Sequence, residues 1–278
     1  MKVWDFGSIM NFSSSLWRHK RFALLFSLFL VAAWLVFTLY RTRRLLANGR
    51  HIAHFSELFA RDYDVGRPDL PSLTYLVLGD STAAGWGAED LARTYPYQVA
   101  HALAARGTHV HVVVRAVAGA RLSDVLVGQL PAIPSVRPDI VTLSIGANDA
   151  THFTSKADYE RELQILVAAL EKSGARQILV ADTPNMFRVP ALPLPLAIAI
   201  NLRARAQNRA LAAALRGTKI RRVELYERGQ LNYRRDPTLY AADLFHPSGA
   251  GYGVWAPLFV EKLEAMEHRT SQSNVAGR

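Results

Sequence analysis

"YLVLGDSTAAGWG", Tyr75–Gly87, is the stretch on which the fold turns. Its apolar start continues from Thr74 to Leu78 and reads as a strand buried on both faces. Gly79-Asp80-Ser81 then breaks the run into a turn of small and polar residues. Taken alone, Ser81 is what a turn or helix cap needs. A serine just past a buried strand also stands where a nucleophile would, so the remaining chain has to decide. The turn has neither the G-x-x-x-x-G-K-[ST] pattern of a phosphate cradle nor the G-x-G-x-x-G pattern of a dinucleotide site.

Further along, short β-branched runs alternate with helical patterns. Strands are expected over Thr74–Leu78, Val110–Val114, Ile140–Ile145, Gln177–Ala181 and Arg222–Tyr226. Helices are expected over Tyr95–Arg106, Ala157–Ser173, Pro195–Arg216 and Tyr252–Glu267. Parallel strands need crossovers, so this alternation predicts a three-layer α/β/α domain around a parallel sheet of about five strands. Ligands of such sheets bind beyond the carboxyl ends of the strands. The loops that follow the apolar runs are therefore where chemistry is expected.

Composition narrows the choices. Among 278 residues half are hydrophobic and 20% are charged, enough to bury a full core. Cysteine is absent, which excludes disulfides, zinc-thiolate sites and thiol nucleophiles. Of the net charge of +10, residues 1–50 carry +7, from eight Lys/Arg against Asp5. The basicity is thus local, and a nucleic-acid partner is not expected.

The local feature is "FALLFSLFLVAAWLVFTLY", Phe22–Tyr40, nineteen residues without a charge between "RHKR" and "RTRR". At about 1.5 Å per residue it nearly crosses a hydrocarbon core of about 30 Å. It is longer than the apolar region of a cleaved signal peptide, and no A-x-A site follows it. A transmembrane helix over residues 22–40, behind a basic tail over 1–21, is the expectation. The positive-inside comparison is tied, with four Lys/Arg on each flank. Residues 41–72 read as a juxtamembrane helix (Ile52–Arg61) and a linker (Gly66–Ser72). The main domain is expected over 73–267, and a disordered tail over 268–278.

Three loops stand out at the expected places. Beside Gly79-Asp80-Ser81, "SIGANDATHF" after the third run offers Asn148, whose side-chain amide is a neutral donor suited to an oxyanion. "AADLFHPSGAGY" sets Asp243 three residues before His246, so one turn edge can carry both side chains. Asp80 and Asp149 are read as residues that hold loops. His109 and His111 share a strand face, but two ligands without a third make no metal site.

Jointly the blocks resemble the SGNH (GDSL-type) hydrolase family from Leu73 to about Glu267. "GDS" is similar to its nucleophile block, "GAND" to its G-x-N-D block and "DLFH" to its D-x-x-H block. "AVAGARLSD" falls where the family's glycine block lies, without the usual upstream Asn or the Ser before the Gly. The resemblance implies a flavodoxin-like sheet and a membrane-anchored serine esterase with Ser81, His246 and Asp243 as catalytic residues. It also implies an oxyanion hole made by Ser81 N–H, Gly119 N–H and the Asn148 amide, with no metal and no organic cofactor.

The expected substrate is a lipid or other acyl ester. An O-acetylesterase or acyltransferase of cell-surface glycans is the alternative, and a non-catalytic binding module the third. The family's anchored members are commonly exported, which implies a catalytic domain on the extracytoplasmic side. Met186–Leu202, with Pro190, Pro193 and Pro195 in an apolar run, reads either as a packed loop or as a wall or lid for an acyl chain.

Overall fold

The computed structural model describes residues 20–38, 40, 43, 59–230, 233 and 236–276, with side chains of the final helix given to Met266. The chain divides into two compact units, Met1–Leu46 and Ala47–Arg278. In the first, helix α1 (Lys20–Thr38) is long and apolar enough to cross a membrane, and its large side chains, Phe22 to Phe37, are exposed. Most of the helix expected over Ile52–Arg61 lies outside the described residues; Phe59–Arg61 form a turn and bends.

The second unit is built on six strands: β1 (Tyr63–Val65), β2 (Ser72–Gly79), β3 (His109–Val114), β4 (Ile140–Ser144), β5 (Gln177–Ala181) and β6 (Arg221–Val223). Their order is β1-β3-β2-β4-β5-β6. All neighbours are parallel except β1, which pairs antiparallel with β3. The five expected strands all form, in the flavodoxin-like order. β1 lies between the stretches expected as a juxtamembrane helix (Ile52–Arg61) and a linker (Gly66–Ser72). Three residues with a central Asp carry no strand signal of their own; pairing with β3 defines them, Tyr63 opposite Val112 and Val65 opposite Val110.

Both sheet faces are covered, which is why β2 reads as a continuous apolar run rather than an alternating one. Tyr75 and Val77 face a core shared with α2 (Tyr95–Ala104) and α5 (Gly249–Ala276), where Tyr95 stacks on Phe259 at 4.7 Å between ring centroids. Leu76 and Leu78 face the opposite core, shared with α3 (Lys156–Glu171) and α4 (Leu194–Ala214). The last helix runs to Ala276. After Pro257 no Gly or Pro interrupts it until Gly277.

Sequence order reverses between β2 and β4, so the crevice for a ligand opens past their carboxyl ends. The turn after β2 and the loop after β4 meet at that edge.

Candidate active site

The turn after β2 is shaped by a close approach. Gly79 has φ +135°, and a Cβ there would stand 2.1 Å from the carbonyl oxygen of Ser144. Only glycine lets β2 lie that near the end of β4 while turning. Asp80 N–H then donates to the same Ser144 carbonyl at 3.0 Å. The Asp80 carboxylate is buried and accepts from Thr82 N–H (2.9 Å) and from the Thr82 hydroxyl (2.8 Å). These bonds fix the backbone on either side of Ser81.

A second clamp on this turn had no signal in the sequence. The regular β2–β3 pairing ends at Val77 and Val114, leaving Gly79 beyond it. Gly79 C=O still accepts from Val117 N–H at 3.1 Å, and Gln129, buried at the end of a π-helical turn over Val125–Gln129, supplies a partner for the N–H and a second one for the C=O. Its Oε1 accepts from Gly79 N–H and its Nε2 donates to Gly79 C=O, both at 2.8 Å. The side-chain amide stands in for a peptide of a neighbouring strand. Nothing in "VLVGQL" distinguishes that glutamine from a surface one. Gln129→Leu leaves the Gly79 N–H without this partner, while Gly79 C=O keeps the Val117 N–H at 3.1 Å, and a loss of about 2 kcal/mol in chemical denaturation is expected.

Ser81 itself is nearly buried, and its Oγ lies 2.9 Å from His246 Nε2. On the far side of the imidazole, Nδ1 lies 2.5 Å from Asp243 Oδ2. The other carboxylate oxygen of Asp243 accepts from the backbone N–H groups of Phe245 (2.9 Å) and His246 (3.0 Å). Burial works to raise the pKa of Asp243. The hydrogen bond and charge of His246, with those two N–H groups, outweigh it and hold the carboxyl below its ordinary value. The three-residue offset works because Leu244 takes a left-handed conformation, φ +57°. Leu244 N–H donates to Ala241 C=O and Ala241 N–H to His246 C=O, each at 2.9 Å, which closes the loop. Trp86 and Phe245 flank the imidazole at 5.6 and 5.2 Å between centroids.

The loops after β3 and β4 are sewn together. Asn148 lies in the short helix Ala147–Thr151, and its Nδ2 donates to Ala120 C=O at 3.1 Å. One hydrogen of that amide is thereby engaged, and the bond fixes where the other points. Asp149, fully buried, accepts from Leu122 N–H (3.0 Å) and from the Thr154 hydroxyl (3.1 Å). Asp80 and Asp149 thus both hold loops. Gly119 has φ +81°, and an added Cβ would meet nothing within 4 Å, so backbone conformation rather than space calls for glycine. Beside it runs an open groove of about 430 Å³, walled by Val117, Ala118, Ala120 and Val127, with Asp124 and Gln129.

His109 and His111 both turn toward Asp64 of β1, at 3.3 and 2.9 Å, on the edge of the sheet. Among the described residues no group of three or more His, Asp or Glu is arranged to hold a metal.

Asp80 and Asp182 have pKa values pushed up to about 6, chiefly by burial. A carboxyl whose folded pKa is raised favours the protonated state, so it contributes stability below its ordinary value of 3.8 that is lost as pH rises to about 6. At about 1.4 kcal/mol per pH unit, each contributes up to about 3 kcal/mol across that window. Tm is therefore expected to fall between about pH 4 and pH 6. Asp80→Asn should reduce that slope by about half in a melt series, leaving the share of Asp182, while an unchanged slope would count against this assignment.

A doubly covered parallel sheet carrying a Ser–His–Asp chain of hydrogen bonds at its switch point defines the class of α/β serine hydrolases. The profile of the GDSL-like lipase/acylhydrolase family matches residues 77–254, and this chain belongs to that family, an enzyme that hydrolyses esters. Among curated proteins none matches the chain. Solved structures with the same fold include LAE5, an alpha/beta hydrolase enzyme from the metagenome of Lake Arreo, Spain: 17% identity, TM-score 0.55, covering 71% of this chain and 97% of that one. TesA is similar at 21% identity and TM-score 0.55, covering 69% and 99%. A Clostridium thermocellum family 3 carbohydrate esterase is similar at 18% identity and TM-score 0.56, covering 71% and 98%.

Proposed function

We propose that this enzyme is a membrane-anchored serine esterase acting on acyl esters with an apolar acyl group. The observation that carries the reading is the Ser81–His246–Asp243 chain; a groove walled by Val117, Ala118, Ala120 and Val127, with Asp124 and Gln129, runs along the loop that Val117 N–H ties to Gly79 C=O at 3.1 Å. Ser81 Oγ attacks the ester carbonyl as its proton passes to His246 Nε2, and Asp243 stabilises the imidazolium through Nδ1. The oxyanion is held by Ser81 N–H, Gly119 N–H and the free hydrogen of the Asn148 amide. His246 then returns the proton to the departing alcohol. Water, deprotonated by the same imidazole, releases the acyl group.

Residues 73–267 carry this chemistry, with β1 completing the sheet. α1 anchors the domain, which we place on the extracytoplasmic side. Its length and apolar composition support the span, and the basic clusters on either side support anchoring over cleavage. A C-terminal alkaline phosphatase fusion should be active if the domain is exported, and inactive if it faces the cytoplasm.

The reading of Met186–Leu202 divides in two. Met186, Val189, Ala197 and Ile200 are buried, and Leu192 packs against the same cluster as Phe245. Phe187, Leu194, Leu196, Ile198 and Leu202 are exposed. Ala191 N–H donates to Leu244 C=O at 3.1 Å, which ties the segment to the loop that carries His246. A panel of p-nitrophenyl esters from acetate to palmitate, beside acetylated xylo-oligosaccharide, tests the substrate class. We expect kcat/KM to rise by about tenfold or more from acetate to medium chains, as a few buried methylenes would give. Activity confined to acetyl esters and acetylated sugar would support the O-acetylesterase alternative instead.

A further inference from the structure

The exposed face of α4 has no role in the chemistry above, and its residues are graded along the axis. Leu194, Ile198 and Leu202 are 62%, 46% and 59% exposed, and Arg205 and Arg209 continue the same stripe. At 100° per residue these five positions fall within about 80° of one another, over an axial length of about 22 Å. The opposite side of the helix is fixed. Ala197, Ile200, Ala204 and Leu211 are buried, and the Asn208 amide pairs with both Thr183 N–H (2.8 Å) and Thr183 C=O (2.9 Å). The stripe therefore cannot roll inward to hide its leucines.

At its basic end the stripe opens on a cavity of about 280 Å³ lined by Arg205, Arg209 and Arg222, with Tyr226, Asp182 and Glu227. Asp182 lies 3.9 Å from Arg222. Arg205 and Arg209 have no carboxylate within ion-pair distance among the described residues.

We propose that this face docks the catalytic domain onto an anionic lipid bilayer. Leu194, Ile198 and Leu202 enter the boundary between headgroups and acyl chains, and Arg205 and Arg209 hold lipid phosphates. An apolar stripe running into unpaired arginines fits an interface whose interior is hydrocarbon and whose surface is phosphate. A protein partner with an apolar patch beside acidic groups is told apart from lipid by the quenching measurement below. The inference rests on α1 being a membrane span. Twenty residues separate Thr38 from Phe59. They reach at most about 70 Å, which keeps the domain near the lipid at high effective concentration. Weak interfacial contacts then suffice. Docking through α4 brings the segment tied to the His246 loop to the membrane, where an apolar ester resides.

The absence of cysteine allows a single-site test in the full chain. Ile198→Cys, carrying an environment-sensitive fluorophore, is reconstituted into phosphatidylcholine vesicles with or without phosphatidylglycerol, each doped with brominated lipid. Ile165→Cys, an exposed position on α3, is the control. The label at 198 should be quenched by brominated lipid when phosphatidylglycerol is present, and the label at 165 should stay in water. Arg205→Glu with Arg209→Glu should weaken docking by about 30-fold or more, as loss of two surface charges predicts. Hydrolysis of soluble p-nitrophenyl acetate by that variant should stay at the parent level. A label at 198 that remains in water, is quenched equally without anionic lipid, or is shielded without lipid quenching would overturn the proposal. If the protein fails to float with phosphatidylcholine vesicles, the anchoring reading fails instead, and the anionic-vesicle arm still decides docking.

Discussion

Ser81→Ala is expected to abolish ester hydrolysis, lowering kcat by about 10⁴-fold or more while leaving the fold intact. The variant removes one oxygen, and that oxygen is bonded to His246 Nε2 at 2.9 Å. No neighbouring hydroxyl can replace it. The nearest in sequence, Thr82, is committed to Asp80 at 2.8 Å and to Ser144 at 2.9 Å. The bonds that shape the turn run through Asp80, Thr82 and Gly79, so the backbone should hold its form without the Ser81 hydroxyl. Circular dichroism and Tm beside the rate measurement separate lost chemistry from lost structure. Hydrolysis at the parental rate by a folded Ser81→Ala protein would remove Ser81 from the mechanism.

Asn148→Ala should lower kcat by about 10² to 10³, the usual consequence of losing one oxyanion donor, with a smaller change in KM. That split follows from when the interaction forms. In the mechanism proposed above the amide meets charge that develops on the carbonyl oxygen, so it would contribute more to the transition state than to substrate binding. The structure adds a complication, because the same amide also bonds to Ala120 C=O at 3.1 Å. Asn148→Ala thus also loosens the tie between the loops after β3 and β4. Asp149, which bonds to Leu122 N–H at 3.0 Å, keeps those loops joined. Asn148→Asp sharpens the test, since a carboxylate of similar size offers negative charge where a donor is needed. It should be at least as impaired as the alanine variant, and a rate near the parent's would exclude a donor role.

Much of this arrangement could be read from residues alone, because two of its three signals lie at strand ends and the third precedes the last helix. Gly79-Asp80-Ser81, Gly146 to Asp149 and Asp243 to His246 each follow a break in an apolar pattern, and the parallel order brings the first two to one edge. The doubly buried sheet made those breaks visible, since β2 is apolar on both faces and β4 is buried on both. What escaped was non-local. Gln129 acts as a substitute strand for Gly79, fifty positions away, and no periodicity marks it. β1 exists by pairing with β3 rather than by its own composition. Leu244 takes a left-handed conformation that favours glycine or asparagine, and the surrounding loop imposes it. The segment from Met186 to Leu202 carried two readings because its apolar residues alternate between core and surface, which an unsigned list of hydrophobic positions cannot resolve.

The most direct test of the account is covalent labelling by a fluorophosphonate, followed by peptide mapping. The Ser81–His246–Asp243 chain predicts stoichiometric phosphonylation on the peptide that contains Ser81, slowed strongly in His246→Ala and absent in Ser81→Ala. An active preparation that takes up no label, or takes it up on another serine, would contradict it.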